Sequence, residues 1–221
     1  MTRRLVAEAL GTALLLAIVV GSGIMGEKLA DGNAAVALLA NAIATGAGLF
    51  VLITIFAPIS GAHFNPAVSV AAAVSRTLTV VETLGYLVAQ LVGACAGVIA
   101  AHAMFGLELL QTSARARSTS GEYLGEVIAT FGLILTIRLL SRASLSQVAA
   151  AVALWITAAY WFTSSTSFAN PAVTFARSLT DTFAGIAPNN VAAFIVAQLV
   201  GAGIALLVSR SLRAAPSERQ S

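Results

Sequence analysis

The residues whose types and spacing promise chemistry are two identical tripeptides, Asn65-Pro66-Ala67 and Asn170-Pro171-Ala172, 105 positions apart. Asn is a favoured helix N-cap and Pro suits the first helical turn, so one copy alone reads as a helix start and nothing more. Two copies, each set between long apolar stretches, read differently. Irregular backbone at membrane depth is tolerated only where it lies within protein or lines a water-filled cavity. A short helix of about 10 residues rises roughly 15 Å, half of a hydrocarbon core roughly 30 Å thick. Two such half-helices entering from opposite faces meet tip to tip, with Asn65 and Asn170 at the middle. Each N-terminus carries about half a positive elementary charge, so the pair raises a barrier to cations, hydronium included, that an uncharged solute does not meet. Both Asn amides can donate to one passing oxygen, replacing hydrogen bonds it lost on entry and preventing it from relaying a proton. The chemistry is selective passage rather than bond-making. No acid, histidine and nucleophile cluster along the chain, so no enzyme, cofactor or metal site is expected.

The elements that must position these loops are membrane spans. Of 221 residues 58% are hydrophobic and 10% charged, with a mean hydropathy of +0.92, far too apolar for a soluble domain of this size. Apolar runs at Leu5–Gly23, Ala34–Ile55, Val80–Met104, Tyr123–Leu140, Leu145–Phe162 and Val191–Val208 predict six helices. The first could pass for a signal peptide, but it is longer than such a core and lacks a small-x-small cleavage site. Residues 1–221 form one domain of internal copies, approximately 3–105 and 121–210, joined by an extracytoplasmic loop at 106–120. The copies share Val88-Ala-Gln-Leu-Val-Gly-Ala94 with Val196-Ala-Gln-Leu-Val-Gly-Ala202, the two tripeptides, and acids at Glu8 and Glu126 near equivalent span starts. Three spans per copy turn the second upside down relative to the first. The expected fold is an all-α membrane protein of six tilted transmembrane helices plus two re-entrant half-helices in an inverted 3+3 repeat.

The charge pattern completes this reading. Arg3, Arg4, Arg76, Arg138, Arg142, Arg210, Arg213 and Arg219 fall on one side, with Lys28, Arg115, Arg117 and Arg177 on the other, which places both termini in the cytoplasm. The pI near 9.6 follows from this excess of Arg and calls for no nucleic-acid partner. The lone Cys95 excludes an intramolecular disulfide and reads as packing. Gly93, Gly97, Gly201 and Gly203 suit close helix contacts in lipid. An acid within a span is costly and should face a partner, which applies to both Glu8 and Glu126. His102 has no companion ligand and receives no site role.

The duplicated tripeptides, the stretch Ser60-Gly-Ala-His-Phe-Asn-Pro-Ala-Val68, the paired Glu8 and Glu126 and the Ala-Gln-Leu-Val-Gly repeats together resemble the aquaporin, or major intrinsic protein, family over essentially residues 3–210. The resemblance implies one pore per protomer, a homotetramer in the lipid bilayer, and Glu8 and Glu126 accepting hydrogen bonds from the loop backbones. It places His63 at a family position on the cytoplasmic loop, in packing or hydrogen bonding ahead of pH sensing.

The chain departs from the family at the constriction. Most members follow the second motif with Arg; here Val173 follows Ala172, and Arg177 comes a turn later, either approaching the outer pore from the side or anchoring the outer surface. Counting back by the family's spacing assigns the remaining filter positions to Thr45, Ala158 and Ser167, a ring with no aromatic or charged member. Such a ring is wide, with hydroxyls on one edge and apolar groups on the other. The second loop, reading Asn170-Pro-Ala-Val-Thr-Phe-Ala-Arg177 with Val in place of Arg, is similar to that of AqpS-type bacterial aquaglyceroporins linked to arsenic detoxification. The expected function is a passive channel, in a bacterial inner membrane, for small neutral solutes: water, glycerol, urea and uncharged metalloid species such as arsenite. The alternatives are an orthodox water channel, an ion-coupled secondary transporter, which shares inverted repeats and broken helices but needs ionisable groups at its centre, and an adhesive membrane protein.

Overall fold

A computed structural model describes residues 1–213 of the chain; Arg219, counted above among the cytoplasmic charges, lies outside them. The long helices are α1 (Thr2–Leu29), α2 (Ala34–Ser60), α4 (Val80–Phe105), α5 (Ser120–Leu139), α6 (Leu145–Phe162) and α8 (Pro188–Arg213), with short helices α3 (Pro66–Val74) and α7 (Pro171–Ala176) following the two Asn residues. Local sequence sets the boundaries. Thr79 with Glu82, Thr119 with Glu122 and Ser144 with Gln147 form reciprocal capping boxes that start α4, α5 and α6. The Asn33 side chain caps α2, which ends at Gly61 in the left-handed conformation with φ +90°. A 3₁₀ turn, Arg177–Leu179, extends the short α7.

Five of the long helices are apolar and long enough to cross a membrane by length and composition alone. The sixth, α5, is 20 residues long and carries Glu122, Glu126 and Arg138. It is the repeat partner of α1, and the packing obeys the inverted symmetry: α1 lies against α4 and α2, as α5 lies against α8 and α6. The contact of α2 with α6 joins the halves, while α3 and α7 sit inside against α4 and α8 and touch each other. Outward faces are apolar, as at Val36, Leu39 and Ile43 on α2 and Leu84, Val88 and Val92 on α4, which is the surface lipid requires.

Close approach explains the repeated glycines. A Cβ on Gly93 would stand 2.1 Å from the Ala9 carbonyl oxygen, and one on Gly201 2.3 Å from that of Val127, so each helix pair touches backbone to backbone. Gly97 meets the Ala13 carbonyl in the same way, whereas Gly203 has nothing within 4 Å and makes no such contact. The spacing around Gly201 puts Gly203 on another face of α8, away from α5.

Candidate functional site

Asn65 and Asn170 start their half-helices and also tie them together. The Asn65 side-chain oxygen accepts from the Ala67 N–H at 2.9 Å, and that of Asn170 from Ala172 at 3.0 Å and Val173 at 3.3 Å. Each side-chain nitrogen then donates across the junction, Asn65 to the Ala169 carbonyl and Asn170 to the Phe64 carbonyl, both at 2.8 Å. One hydrogen of each amide is thereby committed, fixing the tips against one another. The second remains for a molecule in the cavity that both residues line. Pro66 and Pro171 occupy the first helical turn, where no backbone donor is needed, and Ala67 and Ala172 are buried behind them.

The loops leading to these tips are strained. Ala62, Phe64, Thr166, Ser167 and Ala169 hold φ between +47° and +62° without being glycine, a conformation that costs about 1–3 kcal/mol per residue and persists only where surroundings over-determine it. Two buried carboxylates supply that determination. Glu8 accepts from the Ser60 hydroxyl at 2.6 Å, the His63 N–H at 3.0 Å, the Phe64 N–H at 2.7 Å and the Gln90 amide at 2.8 Å. Glu126 accepts from the Phe168 and Ala169 N–H groups, both at 2.8 Å, and from the Gln198 amide at 2.6 Å. Gln90 also donates to Ser69, and Gln198 to Thr174, each residue four beyond its Asn. The two backbone bonds and the two Gln bonds of each cluster correspond one for one under the inverted symmetry. His63 joins the first cluster, its Nδ1 hydrogen-bonded to the Ser69 hydroxyl at 3.1 Å and its ring edge-on to Tyr86 at 5.3 Å. His102 bridges the Leu109 carbonyl at 3.0 Å and the Thr180 hydroxyl at 2.8 Å, a structural tie away from the cavity.

One cavity of about 280 Å³ runs past both tips, bounded at the α3 end by residues such as Ala72, Ser75 and Arg138 and at the α7 end by Tyr160, Ser167 and Arg177. Apolar side chains, Leu15, Val19, Ile53, Val68 and Ile156 among them, form most of its wall. Thr45, Ser167 and Val173 line it. Ala158 does not: it is exposed on the outer face of α6, and Tyr160 faces the cavity instead, sharing a 3.1 Å hydrogen bond with the Thr45 hydroxyl. The reason is angular. At about 100° per residue, a count two positions too long lands on the opposite side of the helix, and ten residues, not twelve, separate the lining position from Asn170.

Arg177 is 2% exposed and lines the same cavity, so it is no surface anchor. Its Nε donates to the Ala184 carbonyl, and its guanidinium carbon lies 3.4 Å from the centre of the Phe168 ring. Arg117, from the loop between α4 and α5, is buried beside it, donating to the Gly185 carbonyl at 3.0 Å and the Ser165 carbonyl at 3.2 Å, with its guanidinium 4.9 Å from the same ring. Burial, helped by the nearby Arg115, pushes Arg117 down to about 10. The ring around Val173 therefore contains an aromatic residue and a cation that spacing alone does not reveal. Spacing assigns no role to Gln90 or Gln198 either, although both stand at the same place in the seven-residue repeat.

The comparisons agree with this geometry. The family model for major intrinsic proteins matches residues 1–143. The chain is 53% identical over 212 residues to the aquaglyceroporin AqpS of Rhizobium meliloti (strain 1021), covering 96% of this chain and 91% of that one. It is 33% identical over 214 residues to a probable aquaporin, TIP2-2, of Oryza sativa subsp. japonica, covering 93% and 85% respectively. The X-ray structure of the aquaglyceroporin from Plasmodium falciparum shares the fold with a TM-score of 0.76 over 96% of this chain and 97% of that chain, at 20% identity. Paired re-entrant tips, matched buried acids, a cavity that passes both tips and these relatives place the chain in the major intrinsic protein family of membrane channels.

Proposed function

We propose that the protein is a passive, aquaglyceroporin-like channel for small uncharged solutes, carrying glycerol and neutral metalloid hydroxides such as arsenite besides water. The observation that carries this reading is Val173 at the cavity wall where most of the family has Arg. A short apolar side chain there leaves room for molecules larger than water, while the Thr45, Tyr160 and Ser167 hydroxyls lie where they can replace a polyol's lost water contacts. The relative at 53% identity, described as an aquaglyceroporin, supports the same solute class. Neutral Asn, Pro and Ala at the tips favour passive flow over ion coupling. The excess of Arg at one set of helix ends supports cytoplasmic termini, and the apolar outer faces of the helices suit a homotetramer in a bilayer.

The test is stopped-flow permeation of glycerol, arsenite and water in proteoliposomes, comparing the natural chain with Val173→Arg. The substitution is expected to cut glycerol and arsenite flux roughly tenfold relative to water. An unchanged solute order refutes the wide-filter reading. Gradient-driven accumulation of any of these solutes refutes passive flow.

A further inference from the structure

We propose that Arg177 is the selectivity cation of this pore, displaced one helical turn from the position that Val173 occupies. The inference rests on the channel reading above and assigns a residue that reading does not use.

Four observations converge on it. Arg177 is buried yet lines the same cavity as Thr45, Tyr160, Ser167 and Val173. Its anchoring is one-sided: among the described residues the Ala184 carbonyl is its one hydrogen-bond acceptor, and the Phe168 ring covers a face of the guanidinium. Of its five N–H donors, four remain without a protein acceptor. No close ion pair meets the charge either. Among the described residues the one side-chain ion pair is Arg4 with Glu82, so no carboxylate lies within 4 Å of Arg177 or of Arg117 beside it. The fourth observation is Ser167, which is 3% exposed, lines the cavity and has a hydroxyl with no partner. A guanidinium with free donors and a hydroxyl with a free oxygen are what a passing oxygenated solute needs on both of its hydrogen-bonding sides.

A purely structural Arg177 would explain the bond to Ala184 and the stacking on Phe168. It would not explain why the terminal nitrogens, on a residue that lines the cavity, meet neither a carbonyl nor a carboxylate of the protein. In the functional reading they are satisfied by what the pore carries. The fixed positive charge in a low-dielectric passage repels hydronium and metal cations and adds to the barrier of the half-helix tips. Placement a turn away, roughly 5.4 Å along the helix axis, keeps the charge at the mouth without filling the space beside Val173. Width and cation exclusion are thereby separated onto two residues.

The experiment uses the full chain in liposomes, measuring glycerol permeation by stopped flow and proton entry with an enclosed pH dye under an imposed potassium diffusion potential. Absence of glycerol flux in the natural protein would refute the channel reading itself. Given that flux, Arg177→Gln is expected to lower the glycerol-to-proton permeability ratio roughly tenfold or more, because the charge is gone from a poorly screened site. Arg177→Lys keeps the charge but lacks the planar fork, and should hold the ratio within roughly threefold of the natural value. A Gln variant that passes glycerol with the natural ratio overturns the proposal. If the Gln variant fails to assemble and passes nothing, the Lys variant decides: a preserved ratio supports the charge role, and a collapsed ratio with glycerol flux retained overturns it.

Discussion

At the first loop the Ser60 carbonyl accepts a hydrogen bond from the neutral phenol of Tyr86 at 2.7 Å; at the second, the matching carbonyl of Ser165 is held by the guanidinium of Arg117. The residue two before each Asn differs too, His63 in one loop and Phe168 in the other. Behind these differences the supports are the same: a buried Glu that holds two loop N–H groups and a Gln amide, the same Gln reaching on to the residue four beyond Asn, and a Gly that lets two helices touch. The first half also neutralises its cation, since Arg4 pairs with Glu82 at 2.6 Å, while the second leaves Arg117 and Arg177 without an ion pair. Duplication has kept the scaffold that bends the loops and let the charge at the two mouths diverge. Symmetric residues are therefore expected to govern stability, and asymmetric ones selectivity.

The sharpest way to break that division is through the two acids. Glu8→Ala and Glu126→Ala each leave several buried donors unsatisfied and release strained left-handed residues, at an expected cost of about 3–5 kcal/mol. Both should lower the unfolding temperature in detergent to a similar degree and abolish glycerol flux. If one is tolerated and the other is not, the halves are not held equivalently and the scaffold argument fails.

The helix contacts offer a smaller effect with an internal control. Gly93→Ala and Gly201→Ala drive a methyl group into the Ala9 and Val127 carbonyls and should each destabilise the fold by about 1–3 kcal/mol. Gly203→Ala meets open space and should be neutral or stabilise by up to about 1 kcal/mol, the gain expected in a helix interior. Thermal unfolding of the three variants gives the order. Similar destabilisation by all three would mean that the close approach is not what the repeat preserves.

How far the sequence alone leads divides along the same line. The scaffold was legible because it is periodic or duplicated: apolar runs marked the helices, Asn-Pro-Ala marked the tips, and Glu8 with Glu126 stood out as charges where lipid forbids them. The mouth was less legible, since its residues come from four elements whose register depends on loop lengths that vary. Counting from Asn170 across the irregular segment 163–170 missed Tyr160 by two residues and selected Ala158, which a helix places on its far side. Arg177 was visible as a charge, but its direction is set by the Ala184 carbonyl and the Phe168 ring, contacts that close only once the segment after α7 folds back. The five positive φ values were invisible too: none falls on glycine, and the two nearest the tips, at Phe64 and Ala169, are held by N–H bonds to Glu8 and Glu126 on distant helices.

The smallest difference is the one between the two loop-holding cations, where the exposed one should hardly matter. Arg117→Gln removes the side-chain bonds to Gly185 and Ser165 and the contact with Phe168. All of these are buried, so the variant should lose about 1–3 kcal/mol of stability. Arg4→Gln breaks the ion pair with Glu82 and the 2.8 Å bond to Tyr86, but both charged side chains are about a third exposed, 34% and 27%, and water can take over their contacts. Tyr86 keeps its own bond to the Ser60 carbonyl in that variant, so the first loop stays anchored. Unfolding temperatures of the two variants at low and high salt should show a larger, nearly salt-independent loss for Arg117→Gln and a slight, salt-screened one for Arg4→Gln. The reverse order would mean that the ion pair holds the first loop, and that the neutral phenol does not suffice.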